Sequence, residues 1–390
     1  MRDGALPRLL YLGDVPVEAS YHGSALLYRL LQRYPADHLL IVEGNLFRPG
    51  TDRRLPGVRH HTMQIGWRRL LNSRLHGAYS RWLLTRAPSR VPQVRARLSG
   101  FSPQAVLTVA HGFSWVTAAC YAAQARLPLL VIIHDDWPRL ATTPDLVDRE
   151  FARVYRQAAA RLCVSPFMAE EFERRYGAPG SVLLPARAPD AKRFEGCADR
   201  LHRDNGRAVF AFAGTINSPG TARLLQQVAA RLARSGAVLS LYGPLTTDQA
   251  AAAGLSAPNI RLEGLLPPGE LLDRLRADAD VLFVPMSFDA ADRSNMRMSF
   301  PSKLTDYTAV GLPLLICGPE DCSAVRWAHA NPGAAEVVAS DEAAALGAAV
   351  DGLCHDRERR IALATMAQRI GDRDFSAERA EAILHAALVA

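Results

Sequence analysis

Short apolar runs alternate along the chain with longer stretches in which apolar residues recur at helical spacing. Turn-forming residues border many of these runs, which is typical of buried strands. The predicted strands are residues 9–12, 38–42, 105–109, 129–133, 161–164 and 182–184 in the first half, and 209–213, 238–242, 260–262, 281–285, 312–317 and 336–338 in the second. Strands that alternate with helices predict an α/β fold with doubly wound parallel sheets.

A polar stretch, "PARAPDAKRFEGCADRLHRDNGRA", interrupts this alternation at residues 185–208. Its Pro, Gly and charged residues predict an interdomain linker, and 390 residues are many for a single core. We therefore predict two Rossmann-like domains, residues 1–190 and 191–372, followed by a C-terminal helical segment, residues 373–390. Ligands bind beyond the carboxyl ends of strands in such sheets, so two such domains predict a central cleft.

Charge is distributed unevenly along the chain. Residues 1–190 carry 25 Lys and Arg against 15 Asp and Glu, and the remaining residues carry 21 against 24. From Arg53 to His134 there are 12 arginines and no acidic residue. This predicts an anionic partner for the first half, with an anionic membrane surface as the candidate for residues 53–97. Nucleic acid is not the expected partner, because no aromatic and basic repeats accompany a known binding motif.

The segment "WRRLLNSRLHGAYSRWLL", residues 67–84, has two interpretations. On a helix its apolar residues form one broad face, with Arg68, Arg69, Arg74 and Arg81 off that face. Such a helix can lie on an anionic membrane. It can equally be a core helix with solvated arginines.

No uncharged apolar run reaches 18 residues, and the N-terminus lacks the pattern of a signal peptide. We therefore expect a cytoplasmic protein, with peripheral membrane contact as an option. The six cysteines show neither a CxxC pair nor metal-ligand spacing with histidine. They predict reduced thiols and no metal site.

Two polar segments follow predicted strands in the first half. In "GDVPVEASYHGSALL", Gly23 stands at a helix start, where backbone amides can approach an anion. His22 beside it is either a general base or an exposed loop histidine. In "HDDWPRL", His134 stands at a strand end and is expected to face a ligand, while Asp135 or Asp136 caps the next helix.

Polar and turn-forming residues also follow strands in the second half. In "FAGTINSPG", Gly214, Thr215 and Asn217 precede a helix and predict an anion-binding loop. Neighbouring strand ends are marked by Tyr242, Gly243 and Leu265. The later loop "SFDAADRSNMRMSFPSK" carries the three cations Arg293, Arg297 and Lys303, a set that suits a diphosphate.

The stretch "FPSKLTDYTAVGLPLL", residues 300–315, combines a short helix with a buried strand. Ser302 is a candidate helix cap, and Gly311 stands where a left-handed residue can end the helix. Lys303 and Asp306 then lie one turn apart near the electropositive helix end. They either hold an anion and a hydroxyl group or form a solvated ion pair.

In their order along the chain these segments resemble the GT-B glycosyltransferases, most closely the family 4 type. The late N-terminal segment "LCVSPFMAEEFERRYGAPGSVLLPARAPDAKRF" and the core segment "LYGPL…NIRLEGLLPPGELLDRLRADADVLFVP" are similar to that family. "FPSKLTDYTAVGLPLLICG" resembles its signature helix, and "DFSAERAEAIL" its final helix, which crosses back to the first domain. The resemblance covers nearly the whole chain and implies an acceptor-side first domain and a donor-binding second domain.

The resemblance also implies residue roles. Asp306 corresponds to the carboxylate that holds the ribose hydroxyls, and Lys303 with its helix start to the groups that neutralise the donor diphosphate. The turn containing Leu265 is expected to face the nucleotide base, and His134 to lie near the donor sugar. The chain departs from the family pattern at several positions: Met298 replaces an expected glutamate, Thr215 an expected arginine, "SPG" an expected lysine, and Pro185-Ala186 an Asn-Gly pair.

The activity implied is that of a hexosyltransferase: transfer of a sugar from a nucleotide-diphosphate sugar to an acceptor hydroxyl, with retention. The acceptor is a glycan, a lipid-linked or a small molecule, as in polysaccharide or glycolipid synthesis. The nucleotide sugar is a co-substrate, and no cofactor or metal is expected. Alternatives are an inverting transferase with His22 as base, oriented by Asp135 or Asp136, a nucleotide-sugar epimerase, or an inactive scaffold.

Overall fold

The structure is a computed structural model. It describes residues 6–19, 22–47, 53–141, 143–202 and 206–389, with the side chain of His22 outside the description. Within these ranges the chain divides into two compact units. The N-terminal unit contains Met1–Pro189 and Ala377–Ala390, and the C-terminal unit contains Asp190–Ser376. The sequence placed the first boundary one residue later and began the final segment at residue 373.

The N-terminal unit is built on a seven-stranded parallel sheet with strand order β3-β2-β1-β4-β5-β6-β7. The strands are β1 Leu9–Gly13, β2 Leu39–Gly44, β3 Arg59–Met63, β4 Ala105–Val109, β5 Leu129–Ile133, β6 Ala160–Cys163 and β7 Ser181–Val182. Every residue of β1, β4 and β5 is buried, which explains their continuous apolar sequences.

Helices cover both faces of this sheet, as crossovers between parallel strands require. They are α1 His22–Leu31, α2 Arg68–Leu71, α3 His76–Thr85, α4 Val91–Arg97, α5 Ser114–Ala125, α6 Trp137–Leu140, α7 Pro144–Gln157, α8 Pro166–Tyr176 and α17 Ala377–Val389, with 3₁₀ turns at Ala36–His38 and Pro88–Arg90. Helix α17 contributes Ala380 and Leu384 to the apolar core around β1 and β4, so the last helix belongs to this unit.

The C-terminal unit has a six-stranded parallel sheet with strand order β10-β9-β8-β11-β12-β13. The strands are β8 Val209–Ala213, β9 Val238–Tyr242, β10 Ile260–Gly264, β11 Val281–Pro285, β12 Leu314–Cys317 and β13 Glu336–Val338. The helices are α9 Pro219–Arg234, α10 Thr247–Ala252, α11 Pro268–Asp278, α12 Arg293–Met298, α13 Lys303–Tyr307, α14 Ser323–Ala330, α15 Ala343–His355 and α16 Arg357–Asp374, with a 3₁₀ turn at Asp199–His202. Strand β8 lies between β9 and β11, where the winding direction reverses.

The predicted fold class is confirmed, since two Rossmann-like parallel sheets are present. Strand β3 was missed because "RHHTM" is polar and lies exposed at the sheet edge. The strand predicted at 312–317 begins two residues later, since Gly311 has φ +68° and ends the preceding turn. None of the helices in the described ranges is long and apolar enough to span a membrane.

Candidate donor site and histidine cluster

A glycine directly follows each of β8 and β9, so no Cβ covers the backbone at these two strand ends. Gly214 has φ +140° and Gly243 has φ +155°, a region that residues with a side chain rarely adopt. A Cβ on Gly243 would lie 2.4 Å from the carbonyl oxygen of Gly214, so only glycine allows this close approach. The Gly214 amide donates to the Tyr242 carbonyl at 2.9 Å, which fixes the pair.

Helix α13 is attached to the end of β8 through its last residue. The Tyr307 hydroxyl accepts from the Ala213 amide at 2.6 Å and donates to the Ala213 carbonyl at 3.3 Å. Lys303, one turn earlier on the same face, extends its Nζ to 4.0 Å from the centre of the Phe212 ring. That ammonium also lies 3.5 Å from the position a Cβ on Gly214 would take. The topology therefore brings Lys303 and the glycine pair together at one sheet edge.

Burial lowers the pKa of Lys303 to about 7. The electron-rich face of Phe212 offsets part of the desolvation of the ammonium. Burial over β8 favours the anion-binding interpretation of Lys303 over the solvated ion pair. A bound anion would restore the charge that burial disfavours.

The other predicted donor residues occupy the surrounding loops. Gly214 and Asn217 are exposed and Thr215 is partly exposed in the loop before α9. The hydroxyl of Ser218 caps α9 by accepting from the Thr221 amide at 3.3 Å. One amide of the predicted anion-binding helix start is therefore already satisfied within the chain.

Around this loop, the strand-end residues of β9 and β10 differ in exposure. Tyr242 is buried, and burial raises the pKa of its hydroxyl to about 12. Leu265 is exposed just beyond Gly264, where an apolar side chain is available for a planar ring. Asp306 lies partly exposed on α13.

In this unit the predicted cap at Ser302 is wrong, and Arg293 has an ion-pair partner within the chain. Ser302 precedes α13 with helical angles, φ −56° and ψ −23°, and its hydroxyl makes no capping bond, because capping requires an extended residue. Arg293 forms an ion pair with Asp321 at 3.2 Å.

The remaining cation of the predicted set, Arg297, is exposed on α12. Met298 is buried, so an apolar side chain fills the position at which the family pattern predicts a glutamate.

In the N-terminal unit, three side chains converge beyond β4 and β5. His134 Nε2 lies 3.3 Å from His111 Nδ1 and 3.3 Å from Asp135 Oδ2. His111 Nδ1 lies 3.7 Å from the same carboxylate oxygen. The ring of Trp137 stands 4.2 Å from the ring of His111. We refer to His111, His134 and Asp135 as the histidine cluster.

His111 was not predicted from the sequence. The available signal was its position two residues after β4, close to that of His134, which directly follows the neighbouring β5. Burial, and secondarily the charge of His134, lower the pKa of His111 to about 4 against the opposing effect of Asp135. His111 is therefore neutral near pH 7.

Gly23 provides the space that His134 occupies. A Cβ on Gly23 would lie 2.6 Å from His134 Cε1 and 3.0 Å from its Nδ1. That Nδ1 is buried and has no hydrogen-bond partner among the described residues. The first turn of α1 therefore packs directly on the imidazole. The side chain of His22, the alternative base, lies outside the described residues.

The predicted capping aspartate is also wrong. Asp136 precedes α6, but its side chain makes no capping bond. Its buried carboxylate instead accepts two hydrogen bonds from Arg175 of α8, at 2.9 and 3.0 Å. The bidentate guanidinium satisfies the carboxylate better than an amide could, and it fixes the backbone next to Asp135.

Replacing Asp136 by alanine is expected to lower the free energy of unfolding by about 3 kcal/mol, since it leaves a largely buried Arg175 without this partner. A urea titration measures the change. The control is Glu150→Ala, which removes the more exposed pair with Arg153 and should cost about 1 kcal/mol or less. Equal costs for both variants would contradict a structural role for Asp136.

The predicted amphipathic helix at residues 67–84 is interrupted between α2 and α3. Tyr79 and Leu83 are buried, as a core helix requires. Trp67 is 65% exposed and Trp82 is 45% exposed, which a core helix does not explain. Exposed arginines flank the two tryptophans along this segment, and we call the set the basic aromatic surface: Trp67, Trp82, Arg68, Arg69, Arg74, Arg81 and Arg86.

Comparison with known sequences finds one protein family that matches part of the chain. Residues 45–184 match the sequence profile of Glycosyltransferase Family 4. A search of curated protein sequences finds no match.

Several solved structures share the fold over almost the full chain. HepE from Anabaena, in complex with UDP and glucose, matches with a TM-score of 0.69 at 14% identity, over 98% of this chain and 100% of that one. Sucrose-phosphate synthase from Thermosynechococcus elongatus has a TM-score of 0.68 at 14% identity, over 97% of each chain. The UDP-forming α,α-trehalose-phosphate synthase from Burkholderia vietnamiensis has a TM-score of 0.67 at 13% identity, over 98% of this chain and 99% of that one.

Two parallel Rossmann-like sheets with the final helix in the first unit define the GT-B class. The family match over residues 45–184 and this fold confirm the predicted resemblance: the chain has a GT-B fold and is similar to Glycosyltransferase Family 4.

Proposed function

We propose that this enzyme transfers a hexose from a UDP-sugar to an acceptor hydroxyl, with the C-terminal unit as the donor-binding domain. The observation that supports this most strongly is the half-buried Lys303 beside the Gly214–Gly243 backbone. UDP is the proposed nucleotide because related folds are described with UDP, UDP-glucose or UDP-forming activity.

In this proposal the diphosphate lies at the carboxyl end of β8. The glycine pair lets the phosphates approach the backbone, and Lys303 neutralises charge that develops on the leaving diphosphate. Asp306 on α13 accepts bonds from the ribose hydroxyls, and exposed Leu265 packs on the base. Thr215 and Asn217 line the loop beside the phosphates, with Arg297 as a second cation.

The N-terminal unit is proposed to bind the acceptor and to supply His134 to the reacting sugar. Asp135 lies 3.3 Å from its Nε2 and holds the orientation of the ring. Transfer proceeds with retention in this proposal, and the leaving phosphate assists deprotonation of the acceptor. The acceptor belongs to polysaccharide or glycolipid synthesis.

A turnover assay tests the proposal. Tag-free protein is incubated with UDP-, GDP- and ADP-sugars, and free nucleoside diphosphate is quantified with and without glycan or lipid-linked acceptors. Acceptor-dependent release of UDP is expected. No release from any donor with any acceptor, by protein that binds no nucleoside diphosphate, would contradict the proposal.

The pKa of Lys303 predicts how diphosphate binding depends on pH. With a free-state pKa of about 7, Lys303 is neutral above that pH and must take up a proton when the anion binds. The complex raises this pKa, so affinity should fall by up to about tenfold per pH unit above pH 7. Below pH 7 this dependence disappears, because the free ammonium is already charged.

Calorimetry in two buffers of different ionisation enthalpy measures that proton uptake directly. Lys303→Arg is the control, since a guanidinium stays charged over the whole range. Its affinity should not fall with pH in this way. A flat profile for the wild type would show that Lys303 does not meet the diphosphate.

The basic aromatic surface is proposed to contact an anionic membrane that carries the acceptor. Exposed tryptophans beside arginines suit a membrane interface, and each arginine near an anionic surface contributes about 1 kcal/mol. Vesicles rich in phosphatidylserine should therefore bind the protein, and neutral phosphatidylcholine vesicles should bind it weakly. Arg68→Gln with Arg69→Gln should weaken binding by about thirtyfold.

The matched control is the pair Arg234→Gln and Arg261→Gln, which removes the same charge from exposed positions outside this surface. Vesicle sedimentation compares the two double variants. Equal losses would indicate attraction by net charge alone and would contradict a defined membrane surface.

A further inference from the structure

We propose that the histidine cluster binds a divalent cation of the Zn²⁺ type, and that the bound cation blocks His134. The site consists of His111 Nδ1, His134 Nε2 and a carboxylate oxygen of Asp135. The inhibitory part rests on the proposed function, whereas the binding part does not.

The distances between the three ligand atoms match the geometry of zinc. A tetrahedral ion with bonds of about 2.0–2.15 Å separates its ligand atoms by about 3.3–3.5 Å. The observed separations are 3.3 Å from His134 Nε2 to each of its neighbours and 3.7 Å between His111 Nδ1 and Asp135 Oδ2. Small side-chain adjustments would bring all three atoms to one ion.

The ligand types also select the cation. Two imidazole nitrogens and one carboxylate oxygen are the protein ligands of a common class of zinc site that keeps a fourth position for solvent. Mg²⁺ and Ca²⁺ prefer oxygen ligands throughout, and their sites do not use paired histidines. The cluster therefore favours Zn²⁺ and related transition metals.

The ligands are held in place and yet accessible. His111 packs on Trp137, His134 packs on the first turn of α1 at Gly23, and Asp135 precedes the anchored Asp136. The three ligand side chains remain 13% to 29% exposed, so an ion and a coordinating water can reach them. Rigid ligands with solvent access are what a filled three-ligand site requires.

A bound cation would take the Nε2 of His134, the nitrogen that also faces Asp135. Under the proposed function this removes the imidazole from the reacting sugar. Micromolar zinc should then inhibit sugar transfer reversibly, and a chelator should restore it. Inhibition should be lost when His111 is replaced, provided that the variant keeps measurable activity.

The test is a zinc titration of tag-free, full-length protein against a chromophoric chelator. The wild type should bind one Zn²⁺ in competition with the chelator and should not respond to Mg²⁺. His111→Ala and Asp135→Asn should each weaken binding by at least about tenfold. His329→Ala is the control, since it removes an exposed histidine beside Glu320 in the C-terminal unit and should bind like the wild type.

Co²⁺ gives a second readout, because four-coordinate cobalt absorbs visible light far more strongly than the aqueous ion. The wild type and His329→Ala should develop this absorption, and the two cluster variants should not. Thermal melting verifies that all variants are folded, and Asp135→Asn preserves the shape of the side chain.

Wild-type affinity that is no higher than that of His111→Ala and Asp135→Asn would overturn the proposed site. Zinc binding that depends on the cluster, in a protein that turns over no nucleotide sugar, would instead leave the site standing and contradict the proposed transferase function. The two failures are therefore distinguishable.

Discussion

Replacing Lys303 by alanine is expected to lower kcat/KM for the donor by about 10²–10³-fold, the cost typical of removing one group that stabilises transition-state charge. The leaving group is a nucleoside diphosphate, and Lys303 is the cation that the fold holds at the end of β8, over Phe212 and beside Gly214. Steady-state kinetics with the best donor of the turnover assay measures the effect.

Lys192→Ala provides the matched control. Lys192 is more than half exposed, lies in the same unit and pairs with Asp273, so its loss should change kcat/KM by less than about twofold. Similar kinetics for the two lysine variants would show that the diphosphate binds elsewhere.

Replacing Gly23 by alanine is expected to lower kcat by about 10²-fold without weakening donor binding. The new methyl group would overlap with the His134 ring, which must move away. A displacement of about 1 Å at a reacting group can cost this much in rate. Donor binding should persist, because the proposed diphosphate site lies in the other unit.

Gly77→Ala is the control for this substitution. Gly77 is also the second residue of a helix, and a Cβ there meets nothing within 4 Å. It should leave kcat unchanged and can stabilise α3 slightly. If Gly23→Ala had the kinetics of Gly77→Ala, the position of His134 would not matter for the reaction.

The sequence predicted the fold well where burial dictates the pattern. Strands such as β5 and β11 are covered on both faces, so each is a continuous apolar run that can be read without a structure. Strand β3 lies at the sheet edge, where only Met63 is fully buried, and "RHHTM" therefore gave no apolar signal.

The site was predicted only in part, because contacts between distant segments depend on topology. Lys303 and Gly214 were each candidates, but their proximity follows from the neighbouring positions of β8 and β9 and from the attachment of α13 through Tyr307. His111 was missed because its partner His134 lies 23 residues away, directly after the next strand.

The errors arose where a local rule met a stronger long-range partner. Asp136 fits a capping position, yet Arg175 of α8 takes its carboxylate. A bidentate guanidinium–carboxylate pair makes two charge-assisted bonds where a cap makes one, and the sequence alone does not show which charges meet.

A calorimetric titration with UDP, GDP and ADP at pH 7 tests the central claim most directly, namely that the end of β8 binds the diphosphate of the donor. We predict that the wild type and Lys192→Ala bind UDP, with GDP and ADP weaker, and that Lys303→Ala binds none of the three measurably. Undiminished binding of UDP by Lys303→Ala, or no binding by the wild type, would contradict it.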